Sequence, residues 1–248
     1  MEKIILERDG LHLVGYLQKP NFEKCDIVIM MHGFLSDMHG CIFDKLAESL
    51  MYNNIASIRF DFNGHGKSGG KFKDMNIFNE INDGIKIIEY VKSQPFVDKI
   101  YLLGHSQGGV IASMLAGYYC DYIDKIILLA PAATLKDNAC DGRVMGTEFN
   151  PKNIPPYVTI GHGKNAKDIG GHYFRIAQSL PIFEVASLYN KKVCLIYGEQ
   201  DRLVKKSDIE KYNNIYKNCQ TYYIVDENHE FEYQSSKALN IIINFLNN

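Results

Sequence analysis

The apolar run Ile100-Tyr101-Leu102-Leu103 leads directly into Gly104-His105-Ser106-Gln107-Gly108, and a helical pattern follows at once. This G-x-S-x-G arrangement constrains the fold more than any other part of the chain. It requires a strand that ends in a sharp turn and reverses into a helix, with the serine hydroxyl pushed out of the sheet. The serine backbone is strained there, and glycines two residues to either side remove the side chains that would collide. A helix beginning at the serine also aims free N–H groups and its positive dipole end at the hydroxyl. A bare match to the pattern arises by chance about one time in ten in a chain of this length. Its strand-turn-helix setting is what gives it weight.

At 248 residues, 46% of them hydrophobic, the chain can bury one α/β core and still carry an insert. Its 27 basic and 29 acidic residues are mixed along the sequence and leave a net charge of −2. No basic face argues for nucleic acid or an anionic membrane, so the expected partner is a small molecule, with a homodimer left open. The start, Met1-Glu2-Lys3-Ile4-Ile5-Leu6-Glu7-Arg8, carries charge where a signal peptide needs an apolar core. No apolar run approaches the roughly 18 residues of a membrane helix, and the expected location is cytoplasmic. The six cysteines form no C-x-x-C pair and read as core thiols, with Cys140 in a polar segment.

Strand and helix patterns alternate as in a mostly parallel sheet covered on both faces. A hairpin around Asp9-Gly10 is expected at 3–7 and 11–18, with strands at 26–31, 55–60, 98–103, 125–130, 192–197 and 220–225. Helical patterns fall at 42–53, 76–93, 107–119, 205–217 and 234–247. The stretch 132–186, rich in glycine, proline and charge, breaks the rhythm and reads as irregular. A long break of this kind between two sheet strands points to a binding insert or lid over the carboxyl edge. The expected organisation is therefore a core of 1–131 and 187–248 with an inserted subdomain at 132–186.

A nucleophilic serine on such a turn is served by an acid and a histidine that follow it in the order Ser, Asp or Glu, His. After Ser106 the histidines are His162, His172 and His229, and His229 alone follows the last strand pattern. The acid should follow the preceding strand, where Gly198-Glu199-Gln200-Asp201 offers Asp201; Asp226, beside the histidine, is the reserve. Acyl transfer also needs donors for a tetrahedral oxyanion. The N–H of Gln107, next to the nucleophile, is one, and Phe34 in Met31-His32-Gly33-Phe34 is the candidate for the other, with His32 read as structural. Taken separately, Ser106 would serve as a helix N-cap and Asp201 as a turn residue. Their order with His229 favours catalysis.

These residues, with Asp61-Phe62-Asn63-Gly64-His65-Gly66-Lys67-Ser68, resemble the α/β-hydrolase superfamily over nearly the whole chain. The expected fold is the α/β-hydrolase fold, a mostly parallel eight-stranded sheet with helices on both faces. More narrowly, Gly104 to Gly109, Ala130-Pro131-Ala132-Ala133-Thr134, Phe174-Arg175-Ile176-Ala177-Gln178 and Leu180-Pro181-Ile182 resemble bacterial cinnamoyl or feruloyl esterases. The resemblance implies Ser106, Asp201 and His229 as the triad, Phe34 and Gln107 as oxyanion donors, and no cofactor. It implies hydrolysis of hydroxycinnamate esters of the ferulate, p-coumarate or caffeate type, with the insert binding the aromatic acyl group. The family's insert places an aspartate and a glutamine near the phenol; the matching positions here are Asn138 and Met145, with Asp137 adjacent, and Tyr173 matches an insert tyrosine. Tyr157, Phe174, Phe183 and Thr147 are further candidates for the ring site.

Other readings remain beside this one. A monoacylglycerol lipase-like or general short-chain carboxylesterase would use the same triad. Gly64-His65-Gly66-Lys67-Ser68-Gly69 satisfies G-x-G-x-x-G after a strand and raises a dinucleotide-binding oxidoreductase. That fingerprint should open a helix directly, whereas a polar segment intervenes here. The same stretch is not a Walker A loop, and no metal-ligand spacing is present.

Overall fold

The computed structural model describes residues 1–248. Two strands, β1 (Glu2–Arg8) and β2 (Leu11–Gln18), form the expected hairpin and precede β3 (Cys25–Met31). There follow α1 (Phe43–Tyr52), β4 (Ala56–Phe60), α2 (Ile77–Lys92), β5 (Val97–His105), α3 (Gln107–Tyr118) and β6 (Lys125–Leu129). After a long excursion come β11 (Lys192–Gly198), α7 (Lys206–Ile215), β12 (Cys219–Ile224) and α8 (Ser235–Asn247). One eight-stranded sheet runs β1-β2-β4-β3-β5-β6-β11-β12. β2 is antiparallel to both its neighbours, and every pair from β4 to β12 is parallel.

The central strands form because their apolar residues run without alternation, which suits a sheet buried on both faces. β4 and the last five residues of β3 are wholly buried. The edge strand β1 instead buries Ile4 and exposes Glu2, Lys3 and Glu7, charges that discourage pairing with another chain. Among the helices, α1 packs on α8, while α2, α3, α6 (Ile182–Ala186) and α7 pack in series. α3 is buried from Gln107 to Gly117 and is accordingly apolar all round rather than striped. No helix is long and apolar enough to cross a membrane.

The stretch 132–186 corrects the sequence expectation of irregularity. It contains α4 (Thr134–Asp141), a hairpin of β7 (Arg143–Val144) and β8 (Thr147–Glu148), a second of β9 (Tyr157–Ile160) and β10 (Lys167–Gly170), then α5 (Gly171–Ser179) and α6. These elements are too short for a periodic pattern to register. Several of its glycines, read as loop markers, sit at turns: Gly142 ends α4 at φ +73° and Gly146 turns the first hairpin at φ +81°. β5 also extends two residues beyond expectation, because Gly104 and His105 continue the pairing with Leu128 and Leu129 of β6.

The turn from β5 into α3 depends on close backbone approach. A Cβ at Gly104 would collide with the Gly108 carbonyl, and one at Gly108 with the carbonyl oxygens of Met31 and His32 at the end of β3. Backbone cannot yield as a flexible side chain does. Gly108→Ala should therefore cost roughly 3 kcal/mol or more in urea unfolding, while Gly146→Ala, with open space around it, should cost only its backbone strain of about 1 to 2 kcal/mol. The reverse ranking would refute the close-approach account.

Candidate active site

Ser106 sits at the N-cap of α3 with φ 56° and ψ −120°, a left-handed conformation that costs on the order of 1 to 3 kcal/mol. Its N–H donates to Leu129 O at 2.9 Å and its carbonyl accepts from Ala132 N at 3.0 Å, which pins the turn to β6 and its exit. The side chain makes no capping hydrogen bond, so the hydroxyl is not spent as a helix cap.

Asp201 follows β11 with its carboxylate fully buried. Oδ1 accepts from Leu203 N at 2.8 Å and Val204 N at 3.0 Å, and Oδ2 accepts from His229 Nδ1 at 2.7 Å. The proton on Nδ1 leaves Nε2 of His229 with a free lone pair. Asp226, the reserve, is exposed at a turn residue of φ 60° and does not contact His229 through a hydrogen bond. Ser106 and His229 line one cavity without a direct hydrogen bond between them.

Two residues hold the histidine loop: His105, which the sequence suggests as a packing or turn-stabilising residue, and Glu227, which sequence reasoning passed over. His105 Nε2 donates to the His229 carbonyl at 2.8 Å, joining the serine turn to the His229 loop. Glu227, wholly buried, accepts from Asn228 N at 2.9 Å, Tyr233 N at 3.0 Å and Gln234 N at 2.7 Å. Its carbonyl also takes Gln200 N at 2.8 Å, tying the acid loop to the histidine loop. An acidic residue beside a conspicuous histidine was the available signal, but its bonds run to backbone and have no spacing rule.

The Gly33 turn approaches so closely that a Cβ there would lie 3.0 Å from Ser106 Cβ. Phe34 N–H, in this turn, and Gln107 N–H, at the first position of α3, have no acceptor within the protein. His32 is structural, as expected: Nε2 accepts from Phe62 N at 3.0 Å and Nδ1 donates to Gly33 O at 2.9 Å.

A cavity of about 820 Å³ opens over Ser106 and His229. Phe34, Gln107, Asn138, Met145, Tyr173 and Phe174 all line it. Asp137 does not; it pairs with Lys205 Nζ at 2.8 Å. The reason is helical phase: Thr134, Leu135, Asn138 and Ala139 form the cavity face of α4, and Asp137 lies off it. Tyr157 is exposed, Phe183 packs on Tyr212 at 4.9 Å between ring centroids, and Thr147 is outside the lining. Arg143, Arg202, Leu203 and Lys205 are in the wall and had no motif to announce them.

The G-x-G-x-x-G stretch is folded onto Asp61 rather than onto a helix. Asp61 Oδ2 accepts from Lys67 N at 2.6 Å, Oδ1 from Met38 N at 2.8 Å, and α2 begins only at Ile77 with Asn76 as its cap. Ligand atoms of His105, His229 and Glu230 lie within 4.8 Å of one another. Each histidine is already held through one ring nitrogen, His105 by the His229 carbonyl and His229 by Asp201.

A family model described as serine aminopeptidase, S33 (Hydrolase_4), matches residues 23–155. Monoglyceride lipase of Mus musculus is 28% identical over 131 residues, 51% of this chain and 42% of that protein. The chain spans about half the length of the curated relatives it matches. Among solved structures, Est1E from Butyrivibrio proteoclasticus with ferulic acid bound is 31% identical with a TM-score of 0.93, covering 98% of this chain and 97% of that one. A thioesterase domain from the curacin biosynthetic pathway, 16% identical with a TM-score of 0.68, shares the fold.

Burial holds three imidazoles near the site neutral: His32 and His65 are lowered to about 4 and His105 to about 3. Unfolded histidines protonate near pH ~6.5, so the unfolded chain binds more protons and these three weaken the fold as pH drops below that value. Glu80 and Asp83, raised by burial, act in the reverse sense as pH rises. The ring NMR signals of His32, His65 and His105 should hold constant from pH 8 to 5. A midpoint near 6.5 for any of them would contradict its neutral assignment.

Proposed function

The chain belongs to the α/β-hydrolase family of serine esterases, and from that premise we propose that it is a serine carboxylesterase that hydrolyses esters of hydroxycinnamic acids. In this reading His229 Nε2 takes the Ser106 proton as Oγ attacks the ester carbonyl. The Phe34 and Gln107 N–H groups receive the oxyanion, and Asp201 holds His229 in its Nδ1–H tautomer and stabilises its cation. His229 then protonates the leaving alcohol, and water releases the acid from Ser106 by the same route. The chain's own groups suffice for these steps.

The observation that carries the reading is the Asp201–His229 bond of 2.7 Å beside a strained, uncapped Ser106. For the acyl group, support comes from the aromatic walls Phe34, Tyr173 and Phe174, from polar Asn138, and from the likeness to Est1E with ferulic acid bound. A ring with polar substituents suits such a mixed wall. Residues 132–186 act in this proposal as the acyl-binding insert. A monoacylglycerol lipase-like activity is the second reading, favoured by the curated relatives. Asn138, Arg143 and Lys205 interrupt the apolar groove that a long acyl chain would need.

Ser106→Ala should reduce turnover by on the order of 10⁴-fold or more with the fold retained; a variant keeping more than a few per cent would remove Ser106 from its role. Asp201→Asn should cost about 10⁴ in kcat, and Asp226→Asn little. A larger loss at Asp226 would move the acid. In a side-by-side assay, methyl ferulate and methyl p-coumarate should show higher kcat/KM than long-chain monoacylglycerols, and the opposite order would favour the second reading.

A further inference from the structure

The mechanism uses only the backbone of Gln107, yet its buried carboxamide is held at both ends. Nε2 donates to Glu80 Oε2 of α2 at 2.7 Å, and Oε1 accepts from the Tyr173 hydroxyl of α5 at 2.7 Å. Gln107, Glu80 and Tyr173 are 2%, 1% and 5% exposed, so neither bond is exchanged with bulk water. The Tyr173 ring also lies 5.7 Å, centroid to centroid, from the ring of Phe34, which is backed in turn by Phe72 at 5.6 Å. One side chain of the 132–186 segment thus touches both residues whose N–H groups lack acceptors.

This arrangement disagrees with the role that resemblance gives Tyr173. Its hydroxyl proton is committed to Gln107 and is not free to be donated to a substrate phenol. Nothing cationic offsets Glu80: His65 Nδ1, 3.9 Å away, is engaged with Asn63 O at 3.1 Å. Burial and the nearby Asp83 push its carboxyl well above the usual range. A buried acid of this kind, kept at the cost of desolvation, needs a use, and its one side-chain hydrogen bond is to Gln107.

We propose that Tyr173 and Glu80 are positioning residues for the oxyanion hole: they clamp Gln107 and Phe34 so that both N–H groups are aimed before an ester carbonyl arrives. Preorganised donors of this kind act on the transition state far more than on the bound ester. The effect therefore falls on kcat and ignores the ring substituents of the substrate. The proposal rests on the reading of Ser106 as nucleophile with Gln107 N–H as donor.

The test compares Tyr173→Phe, Gln107→Leu, Glu80→Gln and the double variant Tyr173→Phe/Gln107→Leu. It measures kcat and KM on methyl cinnamate and methyl p-coumarate, Ki for an arylboronic acid that mimics the tetrahedral state, and Tm. Tyr173→Phe should lower kcat about tenfold on both esters, with KM within about twofold, and should raise the boronate Ki by the same factor. Glu80→Gln, which keeps an acceptor for Gln107, should stay within about threefold of the parent enzyme. The double variant should be no slower than Gln107→Leu alone, because both act through one clamp. A Tyr173→Phe penalty confined to p-coumarate and carried by KM would overturn the proposal, as would a lowered Tm with kcat and Ki unchanged. Those outcomes leave the nucleophile intact. Full turnover by Ser106→Ala would instead overturn the reading beneath it.

Discussion

Everything at the site depends on one strained residue held between close-packed backbones. Ser106 adopts φ 56° because β5 ends against β6 while α3 begins against the end of β3, and only glycine fits at Gly104 and Gly108. The strain of roughly 1 to 3 kcal/mol is small beside what α3 contributes by burial. Val110, Ile111, Met114 and Leu115 are each fully buried, worth about 1.5 to 3 kcal/mol apiece. Packing of the helix therefore overdetermines the turn, and the serine hydroxyl is left without any structural duty.

The same economy appears in how the loops are fixed. Asp61, Asp201 and Glu227 each accept two or more backbone N–H groups from loops that have no ladder of their own. A buried carboxylate is costly alone, but one that satisfies several orphan donors replaces the water those donors would otherwise need. Asp201 does this with one oxygen and faces His229 with the other. The loop's stability and the orientation of His229 are consequently one arrangement. His105 extends it, since its Nε2 links the residue before Ser106 to the His229 carbonyl.

The segment between β6 and β11 is built into the candidate site rather than laid over it. Its helix α4 presents Asn138 and α5 presents Tyr173 to one cavity, and Tyr173 reaches past the wall to Gln107. The cavity is therefore not a pocket added to a finished core. Tyr173 and Gln107 both line it and hydrogen-bond to each other, so its wall and the turn that carries Ser106 are physically joined.

Nearly all of the sheet was legible in the sequence, because continuous apolar runs such as Ile27 to Met31 and Val193 to Ile196 have no other comfortable home than a covered parallel strand. The gathering of Ser106, Asp201 and His229 was legible for a related reason: each follows the carboxyl end of a strand, so chain order alone places them along one edge. What the sequence could not carry was anything decided by contact between distant segments. The phase of α4 selected Asn138 over Asp137, and the pairing with Lys205 took Asp137 out of the wall. Glu80 and Tyr173 acquired side-chain partners 27 and 66 residues away, and the Glu227 carbonyl took the N–H of Gln200 from the loop after β11. Periodicity and motif spacing report on neighbours along the chain, whereas these bonds exist only once packing has brought buried polar groups together and obliged each of them to find a partner.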